Sequence, residues 1–125
     1  RLNLEKRVTF TGYTGQPEKY YEKAAVAVFP SRWQEPFGMT GPEAMAHGVP
    51  VAGFLTGGVG EWLKNGHNGF AVPSGDISAL AGAIRRLLDH PAEAEAYGAN
   101  AFQDMKQYTP ETFSGKLISL MERFL

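Results

Sequence analysis

Glu35 and Glu43 stand with seven residues between them in a stretch that also holds Pro36, Phe37, Gly38, Met39, Thr40, Gly41 and Pro42. An ionised carboxylate only accepts hydrogen bonds, so two of them suit a ligand rich in hydroxyls, such as a sugar diol. Two carboxylates also suit acid and base roles across a glycosidic bond, and the spacing alone leaves both chemistries open. Glycines beside them permit a backbone approach that side chains would block. The stretch leaves an apolar run and enters a short helix near Thr40–Pro42. A helix entered this way points unpaired N–H groups of Met39, Thr40 and Gly41 outward, where an anion such as phosphate is favoured. Arg32 is the only Lys or Arg between Pro30 and Leu63. It either bridges to an acidic neighbour or supplies charge to a phosphate.

Each of these residues has a plainer role beside the chemical one. Thr40 and Glu43 spell Thr-x-x-Glu, a capping box whose cap is worth ~1 kcal/mol without any ligand. Glu35 before Pro36 also suits a solvated loop acid. Trp33 and Phe37 either line a pocket or anchor the loop to the core, and anchoring is the stronger reading for Trp33. His47, His67 and His90 lack metal-ligand spacing, and His47 fits a helix surface, so no metal site is expected.

Four short apolar runs must position this stretch: Val8–Thr11, Val26–Phe29, Val49–Ala52 and Phe70–Val72. They are rich in β-branched and aromatic residues and lack strict alternation, as strands buried on both faces do. Helical segments are expected at Pro17–Ala24, at Pro42–His47 closed by Gly48, and at Val59–Leu63. Asp76 is placed to cap a helix whose face carries Ile77, Leu80, Ala81, Ile84, Leu87 and Leu88. A second helix fits Ala92–Lys106, weakened at Gly98. A third follows Thr109-Pro110, with Phe113, Leu117, Leu120, Met121 and Phe124 on one packing face. The order predicts an α/β domain: an open parallel sheet of about four strands with flanking helices and C-terminal helices.

In such sheets ligands bind outside the carboxyl ends of the strands. The loops leaving those ends would be Gly12–Gly15, Pro30–Gly41, Gly53–Gly60 and Pro73–Asp76, and they hold most of the chain's glycines. The 125 residues include 15 Gly and 8 Pro, and ten of those glycines and five of those prolines fall between Pro30 and Gly75. The excess therefore sits at the expected ligand edge, although turns also collect glycine without any ligand. With 12 Lys+Arg against 13 Asp+Glu and no long run of either sign, bulk charge offers nothing to nucleic acid or to an anionic membrane. No cysteine is present, which excludes disulfides, thiolate zinc sites and a cysteine nucleophile. No Gly-x-Gly-x-x-Gly or Walker pattern follows a strand.

Taken together, the motifs resemble the Glu-x7-Glu signature of retaining glycosyltransferases of the GT-B fold, the group related to glycogen and sucrose synthases. The resemblance continues through Pro30-Ser31, Phe37-Gly38, Glu43-Ala44-Met45-Ala46 with Gly48 and Pro50-Val51, Gly57-Gly58 with Glu61, Asn68-Gly69-Phe70 and Gly75-Asp76. It covers about Val8 to Leu88 and departs at Gly60, where the family has proline. It implies a Rossmann-like C-terminal half of a GT-B fold, in which Glu35 contacts hydroxyls of the sugar of a nucleotide sugar and is the catalytic residue. Glu43 would accept from the ribose hydroxyls. Backbone amides around Phe37, Gly38, Met39 and Thr40 would hold sugar and diphosphate, and Gly12, Tyr13 and Thr14 would border the base. Arg32 is counted with this donor-binding set.

Further implications follow from the resemblance. The donor would be a UDP-, GDP- or ADP-sugar, and the acceptor a sugar, lipid or polysaccharide bound through an N-terminal domain. The 125 residues would then be a partial domain, lacking the first βα unit with its Arg and Lys clamp and lacking the acceptor domain, and inactive alone. No cofactor and no Asp-x-Asp metal motif are implied, and neither a nucleophile nor a general base is assigned. The expected location is cytoplasmic, with peripheral membrane attachment through the other domain left open. The alternatives are a glycoside hydrolase using Glu35 and Glu43, and a non-catalytic nucleotide-binding module.

Overall fold

A computed structural model describes residues 2–125. Three strands, β1 (Ala27–Phe29), β2 (Val51–Leu55) and β3 (Gly69–Pro73), form one parallel sheet in the order β1-β2-β3. Ala27 stands opposite Val51, and Ala52 opposite Phe70. The helices are α1 (Glu18–Tyr21), α2 (Thr40–Ala46), α3 (Ile77–Asp89), α4 (Pro91–Met105) and α5 (Pro110–Glu122), with a 3₁₀ turn at Gly57–Glu61. Among the described residues no helix is long and apolar enough to cross a membrane.

The central strand explains the unbroken apolar run in the sequence. Successive residues of a strand point to opposite faces, and both faces of β2 are covered. Val51 joins Phe29, Met45, Val59, Trp62 and Leu63 on one face. Ala52 and Phe54 join Leu80, Ala83 and Leu87 of α3 on the other. Helix α4 serves both clusters, giving Ala94 to the second and Ala101 and Met105 to the first. Asp76 caps α3 as expected, its Oδ1 accepting from the Ala79 N–H at 2.8 Å.

The parallel α/β class holds, with three strands among the described residues where about four are expected. Val8–Thr11 forms no strand: a β-run exists only when its amides and carbonyls pair with a neighbour, and this one has no ladder partner among the described residues. Val8 and Phe10 are accordingly exposed. The Val59–Leu63 helix is instead the 3₁₀ turn starting at Gly57, and the helix expected over Pro17–Ala24 is one turn long. The C-terminal helix forms, capped by Thr109. Its expected face does not pack: Phe113, Leu117, Leu120, Met121 and Phe124 are all exposed, because spacing sets which face is apolar but not what covers it.

Helix α4 runs unbroken through Gly98, which the sequence marks as a weak point. Gly98 is where the helix crosses the Gly48–Pro50 segment, and a Cβ there would overlap the Gly48 carbonyl oxygen. Gly98→Ala should therefore lower the unfolding free energy by about 1–3 kcal/mol, against its gain in helix propensity. Gly82→Ala on α3, where a Cβ meets nothing within 4 Å, should raise it by ~0.5–1 kcal/mol. Urea unfolding of both variants checks the opposite signs; stabilisation by both would contradict the close crossing.

Candidate functional site

The loops that leave the three strand ends meet as the parallel topology requires. Ser31 Oγ donates to Glu35 Oε1 at 2.7 Å, fixing one side of that carboxylate. The chain around Glu35 is held from the loop after β2: Gly58 N–H donates to the Glu35 main-chain carbonyl at 2.7 Å, and Gly57 N–H to the Gln34 side-chain Oε1 at 3.1 Å. Buried Thr56 adds a bond from its hydroxyl to the Ser31 carbonyl at 3.4 Å. This close approach is why two glycines stand there. A Cβ at Gly57 would overlap the Glu35 carbonyl, and one at Gly58 the Pro36 carbonyl.

One side chain reaches the far half of the loop from the core. Trp62 Nε1 donates to the Phe37 carbonyl at 2.6 Å, while its ring lies edge-on to Phe29 and fills the space under Gly41. Gly38 adopts φ +83°, and a Cβ there would sit 2.7 Å from the Phe29 ring, so only glycine fits without strain.

Glu35 faces an open cavity of about 630 Å³ along the outer side of β1, lined also by Tyr21, Ser31, Thr40 and Gly41. Glu43 stands one turn into α2, and its Oε2 accepts from the Tyr21 hydroxyl at 3.2 Å. The capping box does not form. Met39 holds the cap position, no side chain caps the helix, and the Glu43 N–H goes to the Met39 carbonyl. The Glu43 carboxylate is thereby free of the helix end. Burial, and then the Glu43 charge, push the Tyr21 hydroxyl's pKa up, so it remains a donor at neutral pH.

Glu35 and Thr40 thus line one cavity, whereas Glu43 and Phe37–Met39 are not in its lining, and Glu43 connects to it through Tyr21, which lines it. Phe37 is an anchor, its carbonyl held by Trp62 and its ring against Tyr108 at 5.5 Å. Trp33 reverses the expectation: 74% exposed, it anchors nothing. Arg32 extends across the strand ends toward Gly75 in the loop after β3 and makes no ion pair among the described residues. Gly12, Tyr13 and Thr14 do not line the cavity, and Tyr13 is 99% exposed. Gln34, Thr56, Tyr21 and Trp62 escaped sequence reasoning. Only Trp62 carried a signal, as a large aromatic closing a glycine-rich turn.

Comparison with known proteins gives a consistent set of relatives. The family profile described as "Glycosyl transferases group 1" matches residues 1–104. Glycogen synthase of Mycobacterium tuberculosis is 42% identical over 73 residues, 58% of this chain and 17% of that protein. Among solved structures, sucrose-phosphate synthase from Thermosynechococcus elongatus superposes with a TM-score of 0.87 at 36% identity, over 98% of this chain and 31% of its own. Anabaena HepE, solved with UDP-glucose, superposes with a TM-score of 0.87 at 27% identity, over 99% of this chain and 34% of its own. The chain therefore spans no more than about a third of these relatives. The architecture it shares with the two solved chains is the Rossmann-like C-terminal domain of the GT-B fold.

Proposed function

The chain belongs to the group 1 glycosyl transferases, and from that premise we propose that it forms the sugar-donor site of an enzyme that moves a sugar from a nucleotide sugar to an acceptor with retention of configuration. The observation that carries this reading is the loop after β1. It presents the Glu35 carboxylate to a cavity, with one oxygen held by Ser31, its own carbonyl held from behind by the Gly58 N–H, and the neighbouring Gln34 side chain held by the Gly57 N–H. A preorganised acceptor of this kind suits the hydroxyls of a bound sugar, and positioning is where much of the rate of such a transfer arises.

In this reading Glu35 accepts from sugar hydroxyls and Glu43 from the ribose, while amides of the Phe37–Thr40 turn face the diphosphate. Arg32 is the cation these loops bring to the strand ends, and Gly12, Tyr13 and Thr14 border the base. Negative charge grows on the departing diphosphate as the anomeric carbon becomes oxocarbenium-like, and backbone N–H groups and a cation stabilise it. The departing phosphate itself assists removal of the acceptor's proton. The acceptor, whether sugar, lipid or polysaccharide, is bound by parts of the polypeptide outside these residues. Membership of the family leaves the glycoside hydrolase and the non-catalytic module without comparable support.

Calorimetric titration of the natural polypeptide that carries these residues, with UDP-, GDP- and ADP-glucose, tests the proposal. Saturable binding of one of the three is expected, and Glu43→Ala should weaken it roughly tenfold, the worth of a hydrogen bond to a charged acceptor. Hydrolysis of a glycoside without nucleotide, and no binding of any of the three, would overturn it.

A further inference from the structure

The hydrogen bond between Tyr21 and Glu43 joins two elements that nothing in their sequences connects. Helix α1 is a single turn with no buried residue, and α2 is packed into the core through Gly41, Pro42, Ala44 and Met45. Tyr21 closes the gap between them. Its hydroxyl donates to Glu43 Oε2, and its ring lies 5.4 Å from that of His47, whose Nδ1 sits 2.9 Å from the Glu43 carbonyl oxygen. The ring packs against the first core cluster as well, so the hydroxyl is held by more than its one bond.

A glutamate side chain has three rotatable bonds, and freezing them on ligand binding costs free energy unless the protein has already done so. On α2 the usual restraint is missing, because no capping box ties Glu43 back to the helix start. Tyr21 takes that place. It engages Oε2 alone, and Oε1 has no hydrogen-bond partner among the described residues. Tyr21 also lines the cavity that Glu35 faces, so the donor of the bond, though not Glu43 itself, belongs to the wall of that space.

We infer that Tyr21 is a positioning residue for ribose recognition: through the bond to Oε2 it holds the Glu43 carboxylate with Oε1 turned to a nucleotide's ribose diol. The inference rests on the donor-site reading above and adds to it a residue on a different helix. The Tyr21 hydroxyl is engaged with Glu43 Oε2. It acts through Glu43, and its effect is confined to the hydroxyls that Glu43 recognises.

That confinement makes it testable. In the natural polypeptide, affinities for UDP, GDP and ADP and for their 2′-deoxy counterparts are measured by calorimetry in the wild type, Tyr21→Phe, Glu43→Ala and the double variant. For whichever base binds, the wild type should prefer the ribonucleotide by roughly tenfold, the effect of one hydrogen bond to a charged acceptor. Tyr21→Phe should remove most of that preference while leaving the affinity for the 2′-deoxy compound unchanged, which also reports that the variant is folded. In the Glu43→Ala background, Tyr21→Phe should change nothing further. Equal loss of both affinities would make Tyr21 merely structural. An unchanged preference, or tighter ribonucleotide binding in Tyr21→Phe, would overturn the positioning role while the donor-site reading stood. If Glu43→Ala keeps the preference, or if none of the three nucleotides binds, the reading of Glu43 itself fails and this inference with it.

Discussion

Glu35→Gln should lower sugar transfer by the natural polypeptide roughly 100-fold while leaving the chain folded. The substitution keeps the size and shape of the side chain and removes its charge. Its partner tolerates the exchange, because the Ser31 hydroxyl that donates to Glu35 Oε1 at 2.7 Å can equally accept from a carboxamide N–H. The bonds from the Gly58 N–H to the Glu35 carbonyl and from the Gly57 N–H to the Gln34 side chain do not involve the carboxylate and should persist. What is lost is the charge-assisted part of the bonds to the sugar hydroxyls. Hydrogen bonds to charged groups contribute about 1.5–3 kcal/mol each, so two weakened together amount to about 3 kcal/mol, or roughly two powers of ten in rate. The loss should fall mainly on kcat, since those bonds tighten as the sugar becomes oxocarbenium-like, with a smaller change in the nucleotide sugar's KM. Steady-state kinetics together with thermal unfolding of both proteins decides the matter. Wild-type turnover in a folded Glu35→Gln protein would remove Glu35 from the chemistry.

The two glutamates, the glycine-rich strand ends and the Asp76 cap were legible in the sequence because each depends on local spacing. Gly57-Gly58 could be noticed as a pair but not explained, since the carbonyls they make room for belong to Glu35 and Pro36, more than twenty residues earlier. The same distance hid Tyr21, whose partner Glu43 lies 22 positions away. Thr40 and Glu43 satisfy the spacing of a capping box, yet the tertiary contact with Tyr21 claims the carboxylate and the cap does not form. Trp33 and Phe37 look alike in the sequence as loop aromatics, and only the position of the Trp62 indole decides that Phe37 is held and Trp33 is not. The C-terminal helix shows the remaining limit. Its stripe from Phe113 to Phe124 was readable as apolar, but the surface that such a stripe covers is not encoded in its period.

Trp62→Ala should cost the fold about 3–5 kcal/mol for the lost side chain, in a domain whose whole stability is of the order of 5–15 kcal/mol. The indole is 1% exposed and lies at the centre of the first core cluster, so the cavity left behind cannot collapse without moving Phe29, Gly41 or α2. It is also the Phe37 carbonyl's donor, and losing that donor adds about 1–3 kcal/mol if the oxygen stays out of water. Trp62→Phe weights the two contributions differently: it keeps much of the apolar volume and loses the N–H together with part of the ring. Urea unfolding should therefore rank wild type above Trp62→Phe above Trp62→Ala. In the natural polypeptide, Trp62→Phe should also raise the KM for the nucleotide sugar. The Phe37–Thr40 turn, released from its anchor, no longer arrives preorganised at the diphosphate. A Trp62→Phe protein as stable as the wild type, with an unchanged KM, would mean that the core holds this loop by shape alone and that the indole hydrogen bond contributes nothing to the site.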